Sequence, residues 1–374
     1  ATPIPLRDEL IESGYLSADY ATWRMGHRRW VIHDGNPTGR LLWLQKSEAA
    51  TNNWGNLWRS LRAQVPDEVY RVGVAVTSVE EDADGVTIET SGGTRARYDA
   101  LVGADGYRSA MRSRLAADST PHFAGYVLWR GNYEESRVED RSELDRADED
   151  YSWYTVAFPG GHGVMYMIPG FGNRADVGHR RVNWAIYAPT PAGWDFTDPT
   201  SIPPGAVTED LYRHLDTLLA DHFPPYFEML IRLSPRDEVS LQPIYDEPLD
   251  TYAQGRVMLI GDAGTVTRPH TGSGATKALQ DALALERLAK EGETWDDVAA
   301  AYSAERVAAG HKLVELGRRI GNAQVTNTPD WASMSAADFE RWTAATLAGD
   351  DLYFWGPSEA PEPVEAGSNQ HRAT

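Results

Sequence analysis

Residues 257–288 read VMLIGDAGTVTRPHTGSGATKALQDALALERL, and this stretch decides the fold class. A buried apolar strand, VMLI, stops at Gly261-Asp262, a loop rich in Gly, Thr and Pro follows, and a helix opens near Gly274. A carboxylate at the carboxyl end of a strand can accept hydrogen bonds from sugar-like hydroxyls. Gly272 and Gly274 let backbone N–H groups approach a ligand closely, and a helix N-terminus favours negative charge. A plain strand–turn–helix corner closed by a capping Asp fits the same pattern, and spacing alone leaves both readings open.

Working outward, residues 101–115 (LVGADGYRSAMRSRL) repeat the theme. A strand ends in Gly103-Ala104-Asp105-Gly106, followed by Arg108 and a short helical piece. Further upstream, 51–65 carries Trp54, Leu57, Trp58 and Leu61 at helical spacing behind a capping Asn53. Residues 70–79 and 86–90 alternate apolar and polar around a turn at 82–85. From 123 to 187 the segments GYVLWRG, YSWYTVAF, VMYMIPG and VNWAIYA are short, aromatic or β-branched, which predicts an antiparallel sheet. A helix is expected over 211–219, ending at the breaker pair Pro224-Pro225, with strands again at 239–244 and 256–260. Residues 281–315 read as one long helical stretch. Beyond 325 the periodicity fades, and a Pro/Glu/Ser-rich end predicts mobility.

A chain of 374 residues suits two closely packed domains. A net charge of −20 argues against a nucleic-acid binder, which needs a basic face. Without a single cysteine, disulfides, thiolate metal sites and cysteine nucleophiles are excluded. No uncharged apolar run approaches the roughly 18 residues of a membrane span, and no signal peptide is seen, so a cytoplasmic protein is expected. The ten histidines lack metal-ligand spacing, and no Gly-x-Ser-x-Gly elbow occurs. Thirteen Trp and 17 Tyr hint at a pocket for a flat ligand.

Taken together, Gly261-Asp262-Ala263 with Pro269, Gly272 and Gly274, and 103–109 (GADGYRS), resemble the two flavin signatures of the flavin-dependent aromatic hydroxylases of the para-hydroxybenzoate hydroxylase type. RPHTGSGATKALQDALAL, GYVLWRG, VNWAIY and LQPIY look closest to the 2,6-dihydroxypyridine hydroxylase branch. The resemblance runs from about residue 2 to 322. It implies an α/β fold: a glutathione-reductase-like FAD-binding domain over 1–118 and 237–322, an inserted, mostly antiparallel substrate domain over 119–236, and a C-terminal extension from 323. It implies FAD as cofactor, NAD(P)H as co-substrate, and hydroxylation of a small aromatic or heteroaromatic compound through a flavin C4a-hydroperoxide. A homodimer is an open possibility.

Residue by residue, the resemblance puts Asp262 on the ribityl chain and Pro269 beside the isoalloxazine ring, with the backbone of Gly272, Ser273 and Gly274 at its pyrimidine edge. Asp105 and Gly106 support the extended middle of FAD, with Arg108 propping that loop. His270 and Arg268 could orient or deprotonate a phenol-like hydroxyl. Alternatively, Arg268 pairs with a surface acid and His270 satisfies a backbone carbonyl. Trp129, Tyr154, Tyr166, Trp184 and Tyr187 fall in the strands expected to floor the pocket. Trp54 stands where relatives place an Arg that touches flavin, with Arg59 and Arg62 the nearest cations.

Members of that family open with a strand, a GxGxxG turn and a helix that hold the ADP half of FAD. This sequence starts in register with the family some forty residues in, and the unit is expected to be missing. Gly170-Phe171-Gly172-Asn173-Arg174-Ala175 has similar spacing but precedes a strand pattern, so a turn in the substrate sheet is expected there. An FAD-independent enzyme such as a cyclase, or a ligand-binding protein on the same scaffold, is the alternative reading.

Overall fold

The computed structural model describes residues 3–196, 201–292 and 294–348. The chain opens with α1 (Ile4–Glu12) and a long antiparallel hairpin, β1 (Trp23–Ile32) and β2 (Arg40–Thr51). Asn53 caps α2 (Trp54–Arg62), its carboxamide oxygen accepting from Gly55 and Asn56 N–H. Of the apolar stripe on α2, Leu57 is buried, whereas Trp54 and Trp58 remain 70% and 52% exposed. A three-stranded meander follows, β3 (Val76–Asp82), β4 (Gly85–Thr90) and β5 (Arg95–Tyr98). Residues 70–75, expected as strand, are turn and loop. Next come β6 (Leu101–Gly103) and α3 (Ala110–Leu115).

The large sheet is built from β7 (His122–Glu134), β8 (Ser152–Phe158), β9 (Gly161–Ile168), β10 (Arg181–Pro189) and, later, β11 (Ser240–Asp246). Its seven strands run β11-β7-β10-β9-β8-β1-β2, antiparallel except where β1 lies parallel to β8. Residues 23–51, expected with the cofactor domain, therefore belong to this sheet. The reason is the 27–31 ladder onto 152–156, which extends the sheet beyond β8. Gly170 closes the expected turn with Arg174.

Alternation gives this sheet two chemically different faces. Val127, Trp129, Val182, Trp184, Ile186 and Met165 enter the main apolar core. That core is covered by α4 (Ser142–Asp150), α5 (Glu209–His222) and α6 (Pro225–Arg232), through residues such as Leu144, Leu215 and Phe227. Pro225 starts α6 rather than breaking structure, since a Pro at the first helical position loses no intrahelical bond. The opposite face carries Arg28, Leu128, Arg130, His162, Tyr166 and Tyr187, which line a cavity.

A smaller sheet, β12 (Ala253–Gln254), β13 (Val257–Leu259) and β6, sets β13 parallel to β6. Among the described residues no strand pairs with the other edge of β6, and no strand–GxGxxG–helix unit occurs. The expected helix over 281–315 is two: α7 (Gly274–Glu291) and α8 (Trp295–Gly321). They separate at Gly292, whose backbone is extended, and Thr294 caps the second. α8 runs into a π-helical turn at Asn322–Thr326. The fading periodicity after 325 conceals α9 (Ala336–Leu347), which starts with a Ser335/Asp338 capping box. It packs Phe339 and Trp342 with Trp331 against Trp30 and Trp43. The end expected to be mobile lies outside the described residues.

Candidate active site

The two signature stretches meet because β6 and β13 are neighbours, with Leu259 paired to Gly103. Beyond β13 the chain turns at Gly261, whose φ of 58° is the left-handed conformation that glycine adopts without strain. Helix α7 grips this turn. Lys277 Nζ donates to Gly261 O (3.0 Å) and to Asp281 Oδ2 (2.6 Å), and Gly261 N–H donates to the same oxygen (2.8 Å). Arg306 Nε donates to Asp281 Oδ1 at 2.7 Å. Sequence reasoning missed this buried trio. Its one visible trace is the i, i+4 spacing of Lys277 and Asp281.

Arg112 does the propping expected of Arg108. Its guanidinium donates to Tyr107 O (2.7 Å), Ala263 O (3.1 Å) and Asp262 O, and pairs with Glu247 (2.7 Å). Arg108 instead lies exposed with its guanidinium over the Tyr107 ring. Asp105 accepts from Ser109 Oγ (2.5 Å) and from the N–H groups of Ala110 and Met111 (2.8 and 3.3 Å), so its carboxylate is occupied in starting α3. Gly106, with φ 78°, has no atom within 4 Å of where a Cβ would stand. The Asp262 side chain is exposed at the end of the β13 strand.

The loop 268–274 then separates into two kinds of residue. Pro269, His270 and Gly272 line the sheet-face cavity. Gly272 takes φ 63° to end the short turn at 269–271. Ser273 occupies the N-cap of α7 without a side-chain cap bond, and the space beside Gly274 is open. The first turn of an 18-residue helix thus lacks a side-chain acceptor, while the dipole favours an anion there. These features fit the electron-rich edge of a flavin. Within the loop, Gly272 N–H donates to Pro269 O (2.9 Å) and Ser273 N–H to Thr271 Oγ1 (3.2 Å), so Asp262 and the Gly274 N–H are the groups able to hold one.

Arg268 is not in that cavity. Its Nε donates to the wholly buried Asp246 (2.7 Å), which Arg318 also engages (2.5 Å), and Nη1 reaches Tyr126 OH (3.4 Å). The partner is a core carboxylate that needs both cations, not a surface acid. His270 Nε2 lies 2.8 Å from Tyr126 OH. Burial, together with the nearby His162, Arg268 and Arg28, drives its pKa well below the usual histidine value, so the ring is neutral.

The cavity measures about 160 Å³. Tyr166 and Tyr187 line it, and Tyr187 stacks against both His162 (4.7 Å) and His270 (4.1 Å between centroids), whose own rings lie 5.5 Å apart. Trp129 and Trp184 do not. Each follows a cavity residue by one position, Leu128 and Asn183, and period-two alternation points it into the helix-covered core. Trp184 Nε1 donates there to Ser234 Oγ (2.6 Å), and Trp129 stacks on His214. Tyr154 likewise turns to Phe227 and Glu143. Arg28, His162 and Gln324 are cavity residues the sequence reading missed: β1 and the π-helical turn were not expected at this face, and His162 lies just ahead of the expected strand VMYMIPG. No group of metal-ligating side chains occurs among the described residues, and none of their helices is long and apolar enough to cross a membrane.

Comparison with known proteins agrees with this geometry. Residues 123–240 match the family model "FAD binding domain-like" and 207–316 the model "FAD binding domain". Aurachin C monooxygenase/isomerase of Stigmatella aurantiaca is 30% identical over 270 residues, covering 71% of this chain and 62% of that protein. The 2,6-dihydroxypyridine 3-monooxygenase of Paenarthrobacter nicotinovorans is 26% identical, covering 68% and 64%. The chain thus spans less than two thirds of the length of these curated relatives. The solved 2,6-dihydroxypyridine-3-hydroxylase of Arthrobacter nicotinovorans superposes with a TM-score of 0.74 at 22% identity, over 96% of this chain and 86% of the other. With both signatures joined at one sheet and an aromatic cavity beside the second, the chain belongs to the flavin-dependent aromatic hydroxylases of the para-hydroxybenzoate hydroxylase type, whose cofactor is FAD.

Proposed function

We propose that this chain carries the flavin-facing and substrate-facing parts of an FAD- and NAD(P)H-dependent monooxygenase that hydroxylates a small aromatic or heteroaromatic ring. The observation that carries this reading is the position of the 268–274 loop. Its start, Pro269 and His270, walls the aromatic cavity, and its end begins the helix whose N-terminus has no side-chain cap. FAD, when bound, supplies hydride uptake from NAD(P)H and transfer of one oxygen atom of O₂ to the ring. The protein's part is to hold and orient. Asp262 accepts from a hydroxyl, and the N–H of Gly274 at the start of α7 faces negative charge. Tyr166 and Tyr187 fix the plane of the ring and exclude water from it. His270 orients rather than deprotonates in this reading, because its Nε2 is already engaged by Tyr126. The named relatives that act on dihydroxypyridine and urate support a substrate of this size.

The test is titration of the purified protein with FAD, followed by NAD(P)H oxidation with candidate aromatic compounds. Flavin absorbance should be retained after gel filtration, and Asp262→Ala should weaken FAD binding by about 1–3 kcal/mol. No retained flavin, or an Asp262→Ala variant with unchanged affinity, overturns the assignment.

A further inference from the structure

The hydrogen-bonding character of the cavity wall can be worked out atom by atom. His162 is buried on β9, and its Nδ1 lies 3.3 Å from the backbone oxygen of Gln324. A carbonyl can only accept, so Nδ1 carries the proton and Nε2 is left as a bare acceptor. The ring stays neutral, since burial and the nearby Arg28 push its pKa down to about 3.

Gln324 supplies the opposite character. Its Oε1 faces Arg28 Nη2 at 3.5 Å, which leaves the carboxamide N–H₂ as a donor. Arg28 is buried with its guanidinium 3.9 Å from the centre of the Trp30 ring and 4.7 Å from that of Trp153, and its Nε donates to Thr155 Oγ1 (2.6 Å). This rigid cation makes the Gln324 end of the cavity electropositive. Gln324 sits in the π-helical turn at Asn322–Thr326, and such turns recur at functional sites. The wall therefore combines an acceptor at His162 with a donor and a fixed positive charge at Gln324 and Arg28. Tyr187 provides a flat surface beside the two histidine rings, in contact with both.

We propose that this cavity recognises a planar heteroaromatic lactam, a ring N–H adjacent to a carbonyl, with the N–H donated to His162 Nε2 and the carbonyl oxygen accepting from Gln324 under the field of Arg28. The proposal rests on the reading of this cavity as the substrate site. A carboxylate would satisfy the electropositive end but set lone pairs against the lone pair of His162. A phenol has a single oxygen to serve both ends. A volume of about 160 Å³ admits one substituted ring or two small fused rings.

The experiment measures calorimetric binding of 2-pyridone, 2-pyrone, benzoate and phenol to the purified full chain, with no turnover involved. In 2-pyrone a ring oxygen replaces the N–H without added bulk. 2-Pyridone should bind at least about tenfold tighter than 2-pyrone, because a site built around a hydrogen bond rejects the analogue lacking it. In His162→Phe the two should bind within about twofold of each other, and Gln324→Leu should weaken 2-pyridone by about five- to tenfold. Thermal unfolding checks that each variant is folded, and the wild-type ligand ratio stands whatever the variants do. Equal binding of 2-pyrone and 2-pyridone, tighter binding of benzoate or phenol, or no binding of 2-pyridone overturns the proposal. The flavin titration is a separate readout, so a protein that fails it can still pass this one.

Discussion

Arg112 Nη1 and Glu247 Oε2 lie 2.7 Å apart, both almost wholly buried, and this ion pair anchors the guanidinium that joins the two signature loops. The remaining Arg112 donors hold the backbone oxygens of Tyr107, Asp262 and Ala263, while Ser119 Oγ donates to the other Glu247 oxygen (2.6 Å). Removing the arginine strands a buried carboxylate. Arg112→Met should cost about 3–5 kcal/mol in denaturant unfolding. Arg112→Lys should not restore it, because one ammonium cannot span four acceptors. Near-wild-type stability of Arg112→Met would show that the pair is incidental.

The two glycines of the 268–274 loop should behave differently. Gly274 has open space where a Cβ would stand, so Gly274→Val should fold normally yet lose FAD binding by blocking approach to the helix N-terminus. Gly272 has φ 63°, which a β-branched residue resists, so Gly272→Val should also cost about 1–3 kcal/mol of stability. Unfolding curves with flavin titrations separate the outcomes. A Gly274→Val protein with full flavin affinity leaves the loop as a structural corner.

Trp184 and Tyr187 are three residues apart and point to opposite faces of the sheet. Trp184→Phe removes the Nε1 bond to Ser234 and should cost about 1–2 kcal/mol in stability, with aromatic ligand affinity unchanged. Tyr187→Leu should weaken ligand binding severalfold, because the ring stacked against His162 and His270 is lost. A reversed pattern would mean that the cavity lies on the helix-covered side.

Two neutral buried histidines also fix a pH dependence. His162 titrates near 3 and His270 well below its ordinary value in the folded state, while both titrate near 6.5 when unfolded. Below pH 6.5 the unfolded chain binds protons that the folded chain does not. Stability therefore falls as pH drops from about 6.5 towards 3, by up to about 1.4 kcal/mol per pH unit for each histidine. Denaturant titrations at pH 7.5, 6 and 5 should show the slope shrinking in His162→Phe. An identical slope in both proteins would count against a neutral His162.

The sequence by itself determined the strand–loop–helix from 257 onward, the strand ending at Gly103, the antiparallel aromatic segments and the family. These are local patterns: period-two and helical spacing, capping residues, and glycines where the backbone must turn sharply. It also put His270, Tyr166 and Tyr187 on the substrate side, and all three line the cavity. Which face each strand buries was decided only by tertiary structure, because alternation defines two faces and says nothing of which one α5 and α6 will cover. That choice sent Trp129 and Trp184 into the core. Long-range pairing likewise placed Arg28 at the cavity, through the ladder of β1 on β8, and brought Gln324 beside it by the unwinding of α8. The cations followed the same rule. Arg268 and Arg112 are turned towards Asp246 and Glu247 because a buried carboxylate is costly without a partner, and no local spacing announces where such a carboxylate will be buried.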